Sequence, residues 1–541
     1  MALEEHLTIL RLTLLEGNIT IWNEWREDNP KIKPDLSNEN LKVFCLEKAN
    51  LSDTDLSNTN LSQMDLYLAN LKGANLRGAN LNQTNLGFAT LDGANLGETQ
   101  IKGAKFNNAS CCHIKIFNAD IEDVNFEEVN FKNASFIDNI LYGCDLRKAN
   151  FRSSKLIKTT FDFCELEKAN FSNTRVNQCN FMYSEMNSVN FSEANLEKTD
   201  FFRADLTSAI FKNSNLTFTN LFRANLINVD FRLTCLNEVN LTCAIVYKQT
   251  TKFPDSFDSD LHGFYLLAPL SNLSNADLSE LKLNGLNLIG ANLSQANLSE
   301  SDLSNCNLIG ANFSHANLNS TILEFANFSG ANLSFANLGQ SDLTNANLTG
   351  TNLKNANLRK ADLSKVKLMG TNLSKSNLLQ ADLEKTDLSY VALDGAIYNI
   401  ETKFPVAFDI NKHQLYLITD SANLSGIDLS NKDLSHVNLS KAKLNGVNFK
   451  FSNLRGAYLN DTDLTLANLE FADLRGVFLY GADLKFANLN GTDLTETLLK
   501  DVNLTNVKGL TIKQVIKAKC TRLAIYSEEF RKKLRLLKKL D

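Results

Sequence analysis

Side chains able to do chemistry are numerous in this 541-residue chain, but their spacing assembles no catalytic or metal site. The six histidines are scattered, at His6, His113, His262, His315, His413 and His436. The sequence has no His-Glu-x-x-His pattern, no Gly-x-Ser-x-Gly elbow and no glycine-rich phosphate loop after a strand. We therefore expect a protein that is not an enzyme and that binds no cofactor and no metal ion.

The ten cysteines show no metal-ligand spacing either, because no Cys-x-x-Cys occurs and the only adjacent pair is Cys111 and Cys112. Four others stand at inward small positions of the repeat described next: Cys144, Cys164, Cys179 and Cys306. We interpret them as small, buried, apolar side chains. A disulfide between Cys144 and Cys164 is the alternative, and a reducing cytoplasm disfavours it.

Carboxylates and carboxamides recur at a fixed spacing, and this repeat organises the chain. From Leu273 to Leu393 every fifth residue is Leu or Phe, the residue two before it is small, and the residue just before it is usually Asn or Asp. A period of five fits neither a helix nor a simple strand, so a repeating turn must point two positions of each pentapeptide inward. A short fixed period predicts a solenoid, whose polar positions form a solvated surface.

A slower period of twenty residues gives the number of pentapeptides in one coil. Glycines recur at this spacing from Gly290 to Gly370, and phenylalanines from Phe131 to Phe231. A second phenylalanine series is offset from the first by ten residues: Phe161, Phe181 and Phe201. Four pentapeptides per coil place the two series on opposite walls, where the rings stack in columns.

The tandem motif appears as Ala-Asn-Leu-Ser-Gln at 291–295 and Ala-Asp-Leu-Ser-Lys at 361–365. It resembles the A(D/N)LXX motif of the pentapeptide repeat proteins over most of the chain. The resemblance implies an all-β solenoid, a right-handed quadrilateral β-helix with one repeat on each face. The Trp-Asn-Glu-Trp-Arg string at 22–26 and the connectors described next are similar to segments of cyanobacterial members, so we expect a bacterial and specifically cyanobacterial source.

Breaks in the register divide the chain into seven segments. They are a helical cap at 1–34, repeat blocks at 35–244, 273–398 and 424–507, connectors at 245–272 and 399–423, and a basic helical cap at 508–541. Both connectors contain Thr-Lys-Phe-Pro, and all five prolines lie outside the blocks. We expect four connector rings to plug coil ends: Phe253, Phe257, Phe404 and Phe408. The repeat is least regular from Thr99 to Ile121, which predicts a local bulge.

The N-terminal cap is predicted to be helical, with Leu3, Leu7, Leu10 and Leu14 on one stripe. The only tryptophans, Trp22 and Trp25, follow it and share a helix face. They either cover the open core of the first coil, as a solenoid end requires, or form an aromatic docking patch.

The C-terminal cap differs in charge from the rest of the chain. Residues 508–541 carry a net charge of +8, whereas residues 1–507 carry −14. Its apolar spacing predicts helix, with Thr511 as an N-cap.

This basic tail has two interpretations. Its leucines Leu534, Leu537 and Leu540 either pack on the last coil while the lysines point to water, or the tail lies as a basic amphipathic helix on an anionic membrane or on nucleic acid. Together with Trp22 and Trp25, the candidate partner-binding residues are Arg531, Lys532, Lys533, Arg535, Lys538 and Lys539.

Two noncatalytic functions remain. The first is a rigid scaffold that binds an unidentified protein partner through its walls and caps. The second, implied by the resemblance, is a DNA mimic that binds a type II topoisomerase. A net charge of −14 over residues 1–507 is far below one charge per ~1.7 Å of duplex DNA, which disfavours the second. We expect no direct nucleic-acid binding and, since no long apolar stretch or signal peptide is present, a cytoplasmic location.

Overall fold

A computed structural model describes residues 3–16, 19–255, 257 and 262–536. The chain forms two compact units, Met1–Leu267 and Ala268–Asp541, which we call unit 1 and unit 2. In each unit the pentapeptides wind into stacked parallel coils, and residues twenty apart pair across neighbouring coils, as Asn60 does with Asn80. The predicted β-solenoid with four repeats per coil is confirmed.

The two inward positions of each pentapeptide form the core. Leu71 and Ala74, a repeat centre and a small position, are both fully buried. The residue two after each centre turns the corner with a positive φ, as Asn58 does at 54°. The left-handed region favours Gly and Asn, which explains their frequency at this position.

Asparagine precedes the repeat centres because its side chain links neighbouring coils. The Oδ1 atom of Asn292 accepts a hydrogen bond from the backbone N–H of Ser294 at 3.2 Å. It also accepts one from Nδ2 of Asn312, one coil further on, at 3.1 Å. These amide ladders satisfy outward polar groups that would otherwise compete with the backbone.

Regular strands are short and belong mainly to unit 1. One sheet contains β1 (Gln100–Lys102), β3 (Asp120–Glu122), β5 (Ile140–Tyr142) and β7 (Thr160–Asp162), and another contains β2 (Lys115–Phe117), β4 (Ser135–Ile137), β6 (Lys155–Ile157) and β8 (Arg175–Asn177). Three two-stranded sheets pair β9 (Ile245–Tyr247) with β10 (Tyr265–Leu267), β11 (Ile397–Tyr398) with β12 (Tyr416–Leu417), and β13 (Asn503–Leu504) with β14 (Ile525–Tyr526).

The bulge predicted between Thr99 and Ile121 does not occur. Pairing keeps its twenty-residue register there, with Gln100 opposite Asp120 in β1 and β3. Ile114 is fully buried at a position usually held by a smaller residue. The core tolerates the larger side chain without an inserted residue, so the expectation was wrong.

The two phenylalanine series stack as predicted. The rings of Phe151 and Phe171 lie 4.6 Å apart and are nearly parallel, at 5°. In the opposite series Phe161 and Phe181 lie 4.8 Å apart, at 4°. Rings of the two series meet edge to face across the core, as Phe161 and Phe171 do at 88°. Both contact geometries are favourable for aromatic pairs.

Each connector forms a stack of two phenylalanines and a histidine. In unit 1 the ring centres of Phe253 and Phe257 are 4.5 Å apart, and those of Phe257 and His262 are 4.4 Å apart. Phe253 also stacks on Phe231 and thereby extends the phenylalanine column. Because Phe253 and Phe257 pack against the core of unit 1, the prediction that they close the coil end is confirmed.

The same arrangement occurs in the second connector, inside unit 2. Phe404 stacks on Phe408 at 5.1 Å, and Phe408 stacks on His413 at 4.8 Å. The spacing from the Thr-Lys-Phe-Pro string to the histidine is equal in both connectors. The motif shared by the two connectors therefore extends beyond the Thr-Lys-Phe-Pro string to a histidine, His262 in the first and His413 in the second.

The second and third repeat blocks share a core within unit 2. Leu379 and Ile397 of the second block pack in one cluster with Leu424 of the third. Polar contacts surround it: Nδ2 of Asn377 donates to the carbonyl of Asp433 at 2.8 Å, and Nζ of Lys432 donates to a backbone carbonyl of the second block.

Helices close the outer ends of the chain. At the N-terminus α1 (Glu4–Glu16) and α2 (Thr20–Asp28) lie near the first coil. At the C-terminus α3 (Ile512–Lys517) begins with a capping box at Thr511, and α4 (Glu528–Leu536) follows β14. Among the described helices, none is long and apolar enough to cross a membrane.

Candidate binding surfaces

The histidines, cysteines and acids of the described residues form no group of three that could hold a metal ion. The cysteines at small positions are buried as free thiols, as predicted. The thiol of Cys144 donates to the carbonyl of Ile121, and the thiol of Cys164 donates to the carbonyl of Leu141. Each acceptor lies in the coil before that of its donor. A hydrogen bond with Cys144, together with burial, raises the pKa of the Cys164 thiol, which makes Cys164 a poor nucleophile.

Trp22 is a structural residue of the N-terminal cap. It is fully buried, and its Nε1 donates to the carbonyl of Asn50 in the first coils at 2.9 Å. Trp25 is half-buried and contacts both Trp22, at 5.3 Å, and His6, at 5.5 Å. Of the predicted leucine stripe, Leu7 and Leu10 are buried while Leu3 and Leu14 are exposed.

Arg26 fixes α2 on the repeat. Its side chain is buried, Nη1 donates to the carbonyl of Ile32, and Nη2 donates to that of Ser52. Burial lowers the pKa of the guanidinium, which nevertheless stays charged in proteins. The Trp-Asn-Glu-Trp-Arg string therefore covers the first coil, and of its two tryptophans Trp25 alone keeps partly exposed surface.

The predicted basic residues of the C-terminal cap are exposed on α4. Arg531, Lys532, Lys533 and Arg535 all face solvent, and Nζ of Lys533 pairs with Glu529 at 2.7 Å. Leu534 is buried at the end of the core, which confirms the packing interpretation for this leucine. Leu537, Lys538, Lys539 and Leu540 lie outside the described residues.

A column of aromatic rings at outward positions runs up one wall of unit 1, with three rings exposed and two half-buried. Its members are Tyr142, Phe163, Tyr183, Phe202 and Phe222, and we call this column the aromatic wall. Successive ring centres are 5.5, 4.9, 5.3 and 5.7 Å apart. Tyr142 is 49% exposed and Phe163 is 51% exposed. The wall crosses five coils and places apolar surface in water.

The repeat explains the wall, although sequence analysis missed it. Each of the five rings stands one or two residues after a repeat centre, and these centres all lie on the same face of the coils. At these positions the backbone points side chains outward. Phe163 and Tyr183 even occupy corner positions, with φ of 55° and 56°. The available signal was five aromatic residues about twenty residues apart at outward positions, most of which carry polar residues elsewhere in the chain.

Charged groups flank the aromatic wall. The guanidinium of Arg203 lies 5.9 Å from the ring centre of Tyr183, and that of Arg223 lies 5.7 Å from the ring centre of Phe222. Beneath Phe163, burial raises the pKa of Asp162, and one of its carboxylate oxygens has no hydrogen-bond partner.

The neighbouring face of unit 1 carries carboxylates and arginine together. Arg147 pairs with Asp145 at 2.6 Å and lies 3.3 Å from Glu165. Partial burial alone would raise the pKa of Asp145, but the hydrogen bonds and the positive charge of Arg147 outweigh it and lower that pKa. This mixture of signs differs from the unbroken negative charge of a nucleic-acid backbone.

A groove of about 640 Å³ opens near the end of the same unit. Its lining includes Ile210, which replaces the usual Asn or Asp of an outward ladder, and Leu233, which is 62% exposed. Asp230 and Arg232 pair at 2.5 Å within it and neutralise each other. The groove thus offers apolar contact with little free charge.

Unit 2 has smaller aromatic columns. Tyr458 stacks on Phe478 at 4.7 Å, and Phe451 stacks on Phe471 at 5.3 Å. The second pair occupies corner positions with φ of 58° and 55°, like the rings at the centre of the aromatic wall. Each column described here spans two coils, which makes the wall of unit 1 the longer apolar surface.

Several solved structures resemble this chain in part. The pentapeptide repeat protein HetL from Nostoc sp. strain PCC 7120, involved in heterocyst differentiation regulation, is 28% identical over 48% of this chain and 91% of its own, with a TM-score of 0.19. The pentapeptide repeat protein alr5209 from Nostoc is 35% identical over 20% of this chain and 84% of its own, with a TM-score of 0.14.

A third structure is that of QnrB1, a plasmid-mediated fluoroquinolone resistance protein. It is 17% identical over 41% of this chain and 87% of its own, with a TM-score of 0.20. None of the curated proteins matches this chain.

The family model for pentapeptide repeats matches most of the chain. Its overlapping matches cover residues 45–108, 116–237, 271–397 and 420–508. These ranges contain nearly all of the coils, with their inward Leu or Phe and their outward amide ladders. The chain therefore belongs to the pentapeptide repeat family.

Proposed function

We propose that this protein is a noncatalytic scaffold in the cytoplasm that binds a protein partner through the aromatic wall of unit 1. The observation that carries the proposal is a continuous column of five aromatic rings, three exposed and two half-buried, in place of the polar side chains that cover most outward positions. Large exposed apolar patches on soluble proteins mark interaction sites. The cytoplasm keeps thiols such as Cys144 and Cys164 reduced.

The composition of the wall suits a protein interface. Tyr, Phe, Met and Arg are enriched at the centres of such interfaces, and here Met182, Arg203 and Arg223 lie beside the rings. Two pairs of rings, Phe163 with Tyr183 and Phe202 with Phe222, are stacked nearly parallel, and these rings present their edges to solvent. An apolar side chain of a partner fits this ridge better than a flat base or sugar ring does.

Removing the two central rings tests the proposal. The double variant Phe163→Asn and Tyr183→Asn keeps the fold, because both residues have positive φ and Asn is well tolerated there. Wild type and variant are used as bait in native lysate, and bound proteins are identified by mass spectrometry. We expect one partner to be retained by wild type and to bind the variant at least about tenfold more weakly, since aromatic anchors dominate interface energies.

The matched control is Phe451→Asn and Phe471→Asn, a stacked corner pair of the same kind in unit 2. It should leave the partner bound. A partner lost with the control and kept with the wall variant would overturn the proposal. Recovery of a type II topoisomerase by both variants would favour the DNA-mimic alternative, which the paired charges around Arg147 disfavour.

A further inference from the structure

The C-terminal end of unit 2 combines cations with exposed apolar side chains. The described part of this cap, residues 508–536, contains nine Lys and Arg residues and two Glu residues. Within the same stretch Leu523 is 54% exposed, Ile525 is 48% exposed and Leu536 is 83% exposed. We call Leu523, Ile525 and Leu536, with the exposed arginines Arg531 and Arg535, the end surface.

Several other apolar residues of the cap close the core. Leu534 and Tyr526 are buried against the last coil, and Phe530 packs against the same cluster. The tail therefore does not lie on a membrane through the leucine face of α4 that contains Leu534. Leu523 and Leu536 take no part in this core and remain exposed.

The fold explains why these side chains point outward. Ile525 and Tyr526 form β14, which pairs with Asn503 and Leu504 of the last coil. Because neighbours along a strand point to opposite sides, burying Tyr526 places Ile525 in solvent. Leu523 ends the turn of 3-10 helix before this strand, and Leu536 lies at the last described turn of α4.

The cations of the end surface are not all neutralised by the cap's own acids. Glu528 and Glu529 contact Lys532 and Lys533, at 3.9 and 2.7 Å. Arg531 and Arg535 flank these lysines on α4 and are exposed. The cap keeps a net positive charge of seven over the described residues, while the rest of the chain is acidic.

We propose that the end surface docks unit 2 on an anionic lipid bilayer, with Leu523, Ile525 and Leu536 entering the headgroup region and Arg531 and Arg535 contacting lipid phosphates. Charge complementarity selects this partner, since the cytoplasmic leaflet is negative and attracts basic segments. Exposed aliphatic side chains add the short-range attraction that a purely electrostatic contact lacks. The inference does not depend on the proposed protein-binding function of unit 1.

Cosedimentation of the full chain with vesicles tests the inference. Vesicles of phosphatidylcholine alone are compared with vesicles that contain phosphatidylserine, at low and at high salt. We expect binding only to the second kind, and we expect salt to weaken it. The double variants Arg531→Gln with Arg535→Gln, and Leu523→Ser with Leu536→Ser, should each weaken binding about tenfold.

Matched controls remove the same chemistry elsewhere in unit 2. Lys354→Gln with Lys365→Gln removes two exposed cations, and Leu466→Ser with Met369→Ser removes two exposed apolar side chains. Both controls should bind like wild type. Equal binding to both kinds of vesicle, no binding to either, or binding unaffected by the end-surface variants would overturn the inference.

Two competitors separate bilayers from other anions. Soluble glycerophosphoserine should not displace the protein from vesicles, because it lacks the acyl boundary into which the leucines insert. Displacement by the headgroup alone would mean a simple anion site and would contradict the inference. Capture by duplex DNA together with no vesicle binding would assign the surface to nucleic acid and would equally overturn it.

Discussion

Phe171 shows what a single inward residue does in this fold. It is fully buried, with Phe151 stacked on one side at 4.6 Å and Phe191 on the other at 5.0 Å. Each inward ring is thus a contact surface for the coils above and below it. Damage at one centre is felt by three coils, because a solenoid coil contacts mainly its neighbours.

We expect Phe171→Ala to lower the free energy of unfolding by about 3–5 kcal/mol, and Phe171→Asp to lower it further, because the carboxylate would be buried without a partner. Urea unfolding followed by circular dichroism measures both. The control Lys155→Asp, at an exposed outward position of the same unit, should change stability by about 0.5 kcal/mol or less. Equal losses for Phe171→Asp and Lys155→Asp would contradict the inward assignment.

Asp162 predicts a pH-dependent effect. Burial, with a smaller contribution from Asp200, raises its pKa in the folded protein above the ordinary 3.8. Between pH 3.8 and the raised pKa, the folded state therefore binds more protons than the unfolded state. The stability of the wild type falls as pH rises through this range, because the buried carboxyl loses its proton. We expect Asp162→Asn to raise the Tm at pH 7 and to raise it less at pH 3. A gain in Tm that is the same at both pH values would exclude a titration effect.

Residue types at inward positions were predictable, and those at outward positions were not. Leu273 to Leu393 could be assigned to the core from spacing alone, because a filled tube restricts each inward side chain by size and polarity. Outward positions tolerate Asn, Lys, Phe or Tyr alike. The stacking of Phe163 on Tyr183 therefore became visible only when the coils were aligned in space.

Among the elements, the contact between the second and third repeat blocks contains a buried lysine. Lys432 occupies an inward small position but has its Nζ at the carbonyl of Lys375 in the other block. Burial lowers its pKa from 10.5 to about 8, and the charge of nearby Asp428 opposes that shift. Burying an ammonium group at neutral pH reduces stability.

We expect Lys432→Met to be more stable than wild type near pH 7.5 and to lose this advantage by about pH 10.5. Between these values the unfolded lysine keeps its proton while the folded one has lost it, so the stability of wild type rises with pH. The advantage should shrink by up to about 3 kcal/mol. Urea unfolding of both proteins across this range measures it, and a difference independent of pH would contradict the prediction.

The first connector was predictable as a cap, but the contacts around the second connector were not. The shared Thr-Lys-Phe-Pro string marked both ends, and Phe253 indeed continues the column from Phe231. Nothing in the five-residue register indicates that Leu379, at an outward position, would be buried against the third block. Such lateral packing depends on how the chain leaves the coil, which spacing does not encode.

At the scale of the whole molecule, unit 1 has both of its ends closed by its own residues. Trp22 covers the first coil, and the stack of Phe253 and Phe257 covers the last. A solenoid with covered ends exposes neither its core nor unpaired strand edges. Unit 1 thus contains what independent folding requires.

We expect residues 1–267 alone to fold as a stable monomer with one cooperative thermal transition. Residues 1–241, which lack the connector and leave Phe231 uncovered, should melt at a lower temperature and self-associate. Circular dichroism and size-exclusion chromatography of both fragments measure these properties. Equal melting temperatures and equal elution as monomers would show that the connector does not act as a cap.

The asparagine ladder also has a consequence for the gene. Asn292 accepts a hydrogen bond from Asn312 through Oδ1, and Asn312 accepts one from Asn332 through its own Oδ1. Because these contacts are identical, any coil of the second block can follow any other. Recombination within the repetitive coding sequence can remove or duplicate twenty codons. Such a change keeps the asparagine ladders in register, because paired residues are twenty apart. Loss of five codons turns all later columns by one face and separates the phenylalanine and glycine series. Insertions and deletions that are retained in evolution should therefore change the length of these blocks by whole coils.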